Sequence, residues 1–533
     1  MNRQDMSAEY ALNKGFLFYN NGQYDEAAEW FLKAAGQGSA AAQNNLGVMY
    51  KNGEGVLKDA AQAVSWFRRA AEQDFTPAQQ MLGFSYYSGE GVRKDYDQAV
   101  SWFRKAAGNG DAAAQYNLGA MYKNGEGVAK DYAQAVSWFR RAAKQGYAPA
   151  FQTLGVCYYK GQGVKREYAQ ALSWFRKAAE LGDSAAQNCL GMMYKNGEGL
   201  KRDAVQAVSW FRKAAGQGCA AARQNLGFSY YSGEGVKKDA AKAASWFRQA
   251  AELGDAVAQY NLGGMYKNGE SLEQDCAQAV YWFRRSAGQG FAPAQQILGV
   301  CYYQGEGVEK DYAQAEHWFR LAAVRGEAAA EYNLGVLYKN GAGVEQDYAQ
   351  AVSWFRQGAE RGLTAAQRIL GVCCYQGEGV ERDYAEAARW FRQAAGQDDA
   401  EAQYGLGLMY RAGEGVKKDA AQAVYWYRRA AKLGHAAAQV DLGVMLYNGE
   451  GVKKDAAKAE YWLRQAAGQG DASALEALGA AAGEDAGKEK GQAVDWSRLP
   501  ADPGGAAGEY FKAARKKAEI VVLGVVDKGQ EEQ

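Results

Sequence analysis

The sequence predicts an all-α solenoid of 36-residue helix–turn–helix repeats, and three observations carry that prediction. Thirteen of the 14 tryptophans, from Trp30 and Trp66 through to Trp462, stand 36 residues apart; Trp496 alone falls out of step. A Leu-Gly pair keeps the same beat from Leu46-Gly47 to Leu478-Gly479. Glycine, at 66 residues, recurs as punctuation between helix-forming runs, whereas prolines number only 5. A fixed period of this length marks stacked supersecondary units, none of which can bury its apolar face alone.

The elements follow in order. Residues 1–39 form an N-terminal capping hairpin without an extended loop, in which Gly15, Ala27, Phe31 and Ala34 match tetratricopeptide spacing. Residues 40–471 hold twelve full repeats. In the first of these, a helix spans about Ala40 to Asn52, with Ala42, Leu46 and Tyr50 on one inward face. Gly47 lets the second helix approach, and Gly53 stands where a C-cap glycine belongs. Glu54-Gly55-Val56 makes the loop, with Val56 turned inward. Asp59 caps the second helix with Gln62 at capping-box spacing, and Ala63, Phe67 and Ala70 form that helix's inner face. Trp66 is expected to pack on the neighbouring repeat. Two flavours of repeat alternate, one with Ala113-Ala114-Gln115-Tyr116 before its Leu-Gly, the other with Pro77-Ala78-Gln79-Gln80. Residues 472–507 read as a degenerate terminal repeat with a Gly-rich segment. Residues 508–533 read as a C-terminal capping element or tail, in which Ile520 to Leu523 needs something to cover it.

Composition narrows function. The 62 basic residues balance 61 acidic ones, which disfavours a nucleic-acid partner. No stretch approaches 18 consecutive apolar residues, so membrane insertion is not expected. The first residues lack the apolar core of a signal peptide, which points to the cytoplasm, or to a periplasmic or secreted location if a leader precedes this sequence. The seven cysteines show no pairwise spacing. Cys157, Cys301 and Cys373 share one repeat position and read as small buried hydrophobes.

The run Ala-Ala-Gln-x-x-Leu-Gly-x-x-Tyr-x-x-Gly-x-Gly-Val-x-x-Asp-x-x-x-Ala-x-x-Trp-Phe-Arg-x-Ala-Ala, read at Ala112 to Ala143 and again in nearly every repeat, resembles the Sel-one-like repeat, a relative of the tetratricopeptide repeat. The resemblance covers roughly 40–480. It implies a right-handed α/α superhelix and a role as adaptor or scaffold in bacterial complexes, signalling and host interaction. A cysteine-rich branch of that family, associated with penicillin binding and β-lactam hydrolysis, carries a cysteine pair in each repeat. This sequence departs from that branch, so a hydrolase stands only as the alternative to a non-enzymatic scaffold.

No catalytic, metal or cofactor constellation is legible. His317 and His435 are single-copy variations, and ligands come in clusters. The Gly-x-Gly-Val segments lack the strand and lysine of a phosphate loop and read as turns. Asp59, Asp95 and Asp131 read as helix caps, one per repeat. The recurring Trp-Phe-Arg reads as structure because every repeat carries it. The partner-binding candidates lie on the first helix of each repeat, two before, two after and five after the Leu of Leu-Gly, on the face away from that leucine. They are Phe84, Tyr87, Tyr116, Lys123, Tyr159, Phe228 and Tyr231, followed by Tyr260, Lys267, Tyr303, Tyr332, Lys339, Tyr404 and Arg411. With first helices lining a concave solenoid surface, such a stripe suits a partner protein or peptide. The expectation is that these rings are exposed.

Overall fold

The computed structural model describes residues 7–478 together with 510, 511, 513 and 519. Two compact bodies divide the chain, 1–246 and 247–533. The described residues form 27 helices, α1 to α27 in chain order, and no strand. From α3 onward the odd-numbered helices open the repeats and the even-numbered ones close them.

The expected boundaries hold within a residue. In the first full repeat α3 spans Ala40–Asn52 and α4 spans Ala60–Ala71. Ser39 opens α3 by accepting the Ala42 N–H at 3.3 Å. Gly53 ends it in the left-handed region at φ 81°, its N–H donating to the Met49 carbonyl. Asp59 Oδ1 accepts from the Ala61 and Gln62 N–H groups at 2.9 and 3.0 Å, so the side chain satisfies two donors that the helix itself leaves open.

The apolar face then packs as the spacing predicts, with one change. Ala42, Leu46, Ala63, Phe67 and Ala70 are buried. The third inward residue of α3 is Met49, not Tyr50, which is half-buried. Three and four residues beyond a leucine both flank its face, and Met49 is the one that joins Ala42 and Leu46 against Phe31, Ala34 and Ala35 of the preceding hairpin. The displaced tyrosine position works between repeats instead. In α5 (Thr76–Ser88) Tyr86 accepts a hydrogen bond from Arg68 of the preceding repeat at 2.9 Å, and Tyr230 accepts from Arg212 in the same way.

Trp-Phe-Arg is thereby explained as structure. Phe67 fills the hairpin, and the arginine ties down the next repeat. Trp66 is half-buried against the cluster that the N-terminal hairpin forms with α3, with the Arg69 guanidinium 4.6 Å from its ring. Val56 packs on that same cluster. Glutamine pairs tie each hairpin to itself: Gln73 donates to Gln43 at 2.8 Å, and Gln145 to Gln115 at 2.9 Å, each within one repeat.

Two glycine positions are dictated by contact. A Cβ on Gly119 in α7 (Ala112–Asn124) would lie 2.7 Å from the Phe139 ring and 3.1 Å from the Ala135 carbonyl oxygen of α8 (Tyr132–Lys144). The second loop glycine, Gly91, sits at φ +73°, and a Cβ there would fall onto the Ala60 carbonyl of the preceding repeat. Each loop is thus seated on the start of the previous second helix. We expect Gly119→Ala to cost about 1–3 kcal/mol through overpacking. Hydrogen exchange on α7 and α8 would report it, and unchanged protection there would refute it.

The cysteines behave as core residues: Cys157, Cys301 and Cys373 are buried, and burial pushes the Cys301 thiol up to about 12. In the terminal repeat α27 spans only Ala472–Ala477. The glycine-rich stretch 479–509 and the apolar run Ile520 to Leu523 lie outside the described residues.

Candidate functional site: the first-helix face

The candidate stripe is built by every first helix, and the two bodies present it differently. In the first body Phe84 is exposed, and the Lys51 ammonium sits 4.9 Å from its ring centre. Tyr87, Tyr116, Lys123, Tyr159 and Tyr231 are half-buried, and Phe228 is buried. In the second body Lys267 and Tyr303 are half-buried, but Tyr260, Tyr332, Lys339, Tyr404 and Arg411 are all buried. The expectation of exposed rings therefore fails at Phe228, Tyr260, Tyr332 and Tyr404, which are only 7%, 2%, 2% and 5% exposed.

The packing supplies the reason. Each tyrosine two before the leucine leans on the second-helix aromatic of its own repeat: Tyr116 on Phe139 at 5.4 Å, Tyr332 on Phe355 at 5.4 Å, Tyr404 on Tyr427 at 5.5 Å. The junction residue of the repeat closes over it, as Tyr147 does on Tyr116 and Phe291 on Tyr260. Burial is the main cause that pushes the Tyr332 hydroxyl up to about 12, with the charge of Arg368 opposing it and that of Glu519 adding to it.

Residues five after the leucine have a different duty. Where the following repeat carries a loop glutamate, several of them meet it: Lys51 with Glu90 at 3.5 Å, Tyr87 with Glu126 at 3.3 Å, Tyr159 with Glu198 at 2.9 Å, whereas Lys123 and Tyr303 stand opposite Gln162 and Ala342. The second body repeats the pattern with Lys267 and Glu306 at 2.6 Å, and Arg411 and Glu450 at 3.2 Å. The Gly-Glu-Gly loop thus latches consecutive repeats, which explains its recurrence without any phosphate chemistry.

One place departs from the repeat, and the sequence reading missed it. Around α23 (Ala400–Ala412), α24 (Ala420–Lys432) and α25 (Ala436–Asn448), polar groups gather, two of them at positions that are apolar in the other full repeats. Glu401 stands where the other repeats carry Ala, Pro or Val, and Tyr427 where every earlier second helix carries Phe. His435 caps α25, its Nδ1 accepting the Ala438 N–H at 3.1 Å, and its ring stacks on Tyr404 at 4.5 Å. Tyr404 donates to Asp441 at 2.9 Å, and Arg411 lies 3.4 Å from the same carboxylate. Burial raises Asp441 above the usual carboxylate range, against the opposing pull of Arg411. Burial, then the Asp441 charge, holds the Tyr404 hydroxyl far above its ordinary value. The signal lies in the sequence as deviation from the repeat, whereas the candidate stripe rests on what the repeats share.

Tyr510 and Phe511 complete this region. The Tyr510 hydroxyl lies 2.6 Å from a Glu401 carboxylate oxygen and 2.9 Å from the Glu401 carbonyl oxygen. Phe511 is fully buried, 3.9 Å between ring centres from Tyr375 of α21 (Thr364–Gln376) and 5.3 Å from Phe391 of α22 (Tyr384–Gly396). Lys512 and the basic run Arg515 to Lys517 lie outside the described residues. Among the described residues no group of three or more His, Cys, Asp or Glu could hold a metal ion, and no helix is long and apolar enough to cross a membrane.

Comparison with known proteins agrees with this architecture. The model of the Sel1 repeat matches thirteen segments, from 7–39 and 40–75 through to 436–471. A protective antigen of uropathogenic Escherichia coli, whose crystal structure displays an SLR fold, is 38% identical; the match covers 88% of this chain and 98% of that one, with a TM-score of 0.61. A Sel1 repeat protein from Oxalobacter formigenes is 35% identical over 45% of this chain and 96% of its own, with a TM-score of 0.42. The search of curated proteins gave no match. With repeat after repeat matched along most of its length, the chain belongs to the Sel1 repeat family.

Proposed function

We propose that this protein is a non-enzymatic scaffold that binds partner proteins or peptides along its first-helix face. The observation that carries the reading is Phe84: a large ring, 38% exposed, on a face where Tyr87, Tyr116 and Tyr159 are half-open and Lys51 and Lys123 add charge. Aromatic rings offer much contact area with few rotors to freeze, and basic groups beside them supply orientation. The residues shared by all repeats are occupied elsewhere, in hairpin cores, arginine–tyrosine ties and loop latches. What varies from repeat to repeat on this face is what remains to select a partner. Sel1 repeats are protein-interaction modules, which agrees with the reading.

The test is a double substitution in the first body. Proteins captured by the purified chain are identified by mass spectrometry and titrated against the chain carrying Phe84→Ser and Tyr87→Ser. Helicity is expected to stay intact, because the hairpin cores rest on other residues. Affinity is expected to fall more than about tenfold, since a lost hot-spot ring costs roughly 2 kcal/mol. Equal capture by a folded variant would place binding off this face.

A further inference from the structure

Tyr510 and Phe511 are helical residues resting on the first-helix face of the second body, 109 residues away in sequence from the Glu401 that Tyr510 meets. The surface beneath them is cut for this pair. Gly405 is the one glycine at its repeat position, where other repeats carry Asn, Ile, Met, Thr, Cys or Asp. A Cβ at Gly405 would lie 3.2 Å from the Phe511 ring and 3.7 Å from the Tyr510 ring. Phe511 fills the resulting niche against Tyr375 and Phe391. Glu401, also unique at its position, takes the Tyr510 hydroxyl, while His435 Nε2 stands 3.6 Å from that carboxylate. Tyr404 meets the Tyr510 ring edge to face at 4.8 Å. Two single-copy departures from the repeat, one removing a side chain and one adding an acceptor, are thus both accounted for by one aromatic pair.

We propose that the face of α21 and α23 is a recognition site for a helical polypeptide segment bearing adjacent tyrosine and phenylalanine, which Tyr510 and Phe511 occupy in cis and which a partner presenting the same pair takes over by exchange. The proposal rests on the reading of the first-helix face as the binding surface, and names the chemistry of the partner. Glu401 selects a phenol hydroxyl, and the Gly405 niche selects a flat ring that lacks one. A segment carried on the same chain as its site competes with free ligands at a raised effective concentration. Free ligands of this site therefore meet a chain that is already occupied.

The experiment uses the full chain and a labelled peptide of residues 508–519, followed by fluorescence anisotropy. The peptide is expected to bind the chain carrying Tyr510→Ser and Phe511→Ala at least about tenfold more tightly than the unsubstituted chain, because the internal competitor has been removed. Adding Gly405→Asn, the residue most common at that position, is expected to abolish the gain. So is placing the same two substitutions in the peptide. Equal binding to both chains, no binding to either, or binding indifferent to Gly405→Asn would overturn the proposal. Hydrogen exchange over 364–471 decides the remaining case. Were the Tyr510→Ser, Phe511→Ala chain to lose protection throughout that region, the pair would be a permanent cap, and exchange would be refuted. Because the Phe84 and Tyr87 test lies in the other body, it stands or falls separately: loss of capture there with failure here keeps the scaffold reading and discards the exchange.

Discussion

Leu118→Ala is expected to open the chain locally and leave the distant repeats intact. Leu118 is fully buried on α7, among Ala114, Met121 and the residues Ala99, Val100, Phe103, Ala106 and Ala107 of the preceding repeat's second helix. Truncation to alanine removes apolar area and leaves a cavity lined by groups that cannot follow, at a cost of about 2–5 kcal/mol. The cost is confined because stacking contacts run between neighbours: Arg104 of the preceding repeat donates to Tyr122, and the Tyr116 hydroxyl meets the Thr153 hydroxyl of the following repeat at 3.3 Å. Hydrogen exchange is expected to quicken over about 76–183 and to change little near 400. An even loss of protection along the chain would contradict the nearest-neighbour account.

Arg411→Met is expected to destabilise the second body by about 3 kcal/mol at neutral pH, the low end for breaking a buried ion pair. The guanidinium is 5% exposed and lies between Asp441 and Glu450. Its loss strands Asp441, which keeps only the Tyr404 hydroxyl as a close donor. The low end applies because Glu450 remains open to water. Asp441→Asn in the same chain is expected to recover most of the loss by removing the orphaned charge. The pH dependence has a definite sign. Burial already raises the Asp441 pKa in the folded state, and removing Arg411 raises it further. A carboxyl with a raised folded pKa binds its proton more tightly folded than unfolded. The penalty is therefore small below the unfolded carboxylate pKa, near 4, and complete once pH has risen through the folded value. Urea unfolding at pH 4.5 and pH 7 checks this: a penalty that does not grow with pH, or no rescue by Asp441→Asn, would show that Arg411 acts through packing alone.

The sequence by itself determined the period, the helix pairs and their ends, because each follows from local chemistry repeated many times. Asp59 and Gly53 fix helix ends within a few residues of chain, and Ala42, Leu46, Phe67 and Ala70 fix the buried face through helical spacing. It also supplied the stripe of first-helix residues as a set. Only the tertiary structure decided what those residues do, since that depends on neighbours a repeat away or further. Helical geometry allowed either Tyr50 or Met49 as the inward residue, and packing on the preceding hairpin chose Met49. The residues five after the leucine had no visible duty until the loop glutamate of the next repeat was found beside them. Tyr116 and Tyr404 occupy one repeat position, yet one is half-open and the other buried. Their difference comes from His435, Asp441 and Tyr510, the last of which lies 106 positions on in sequence and follows no repeat. A periodic pattern reports what every repeat shares. The covering of Tyr404 by Tyr510, and the niche at Gly405 for Phe511, come from a long-range contact that no local periodicity encodes.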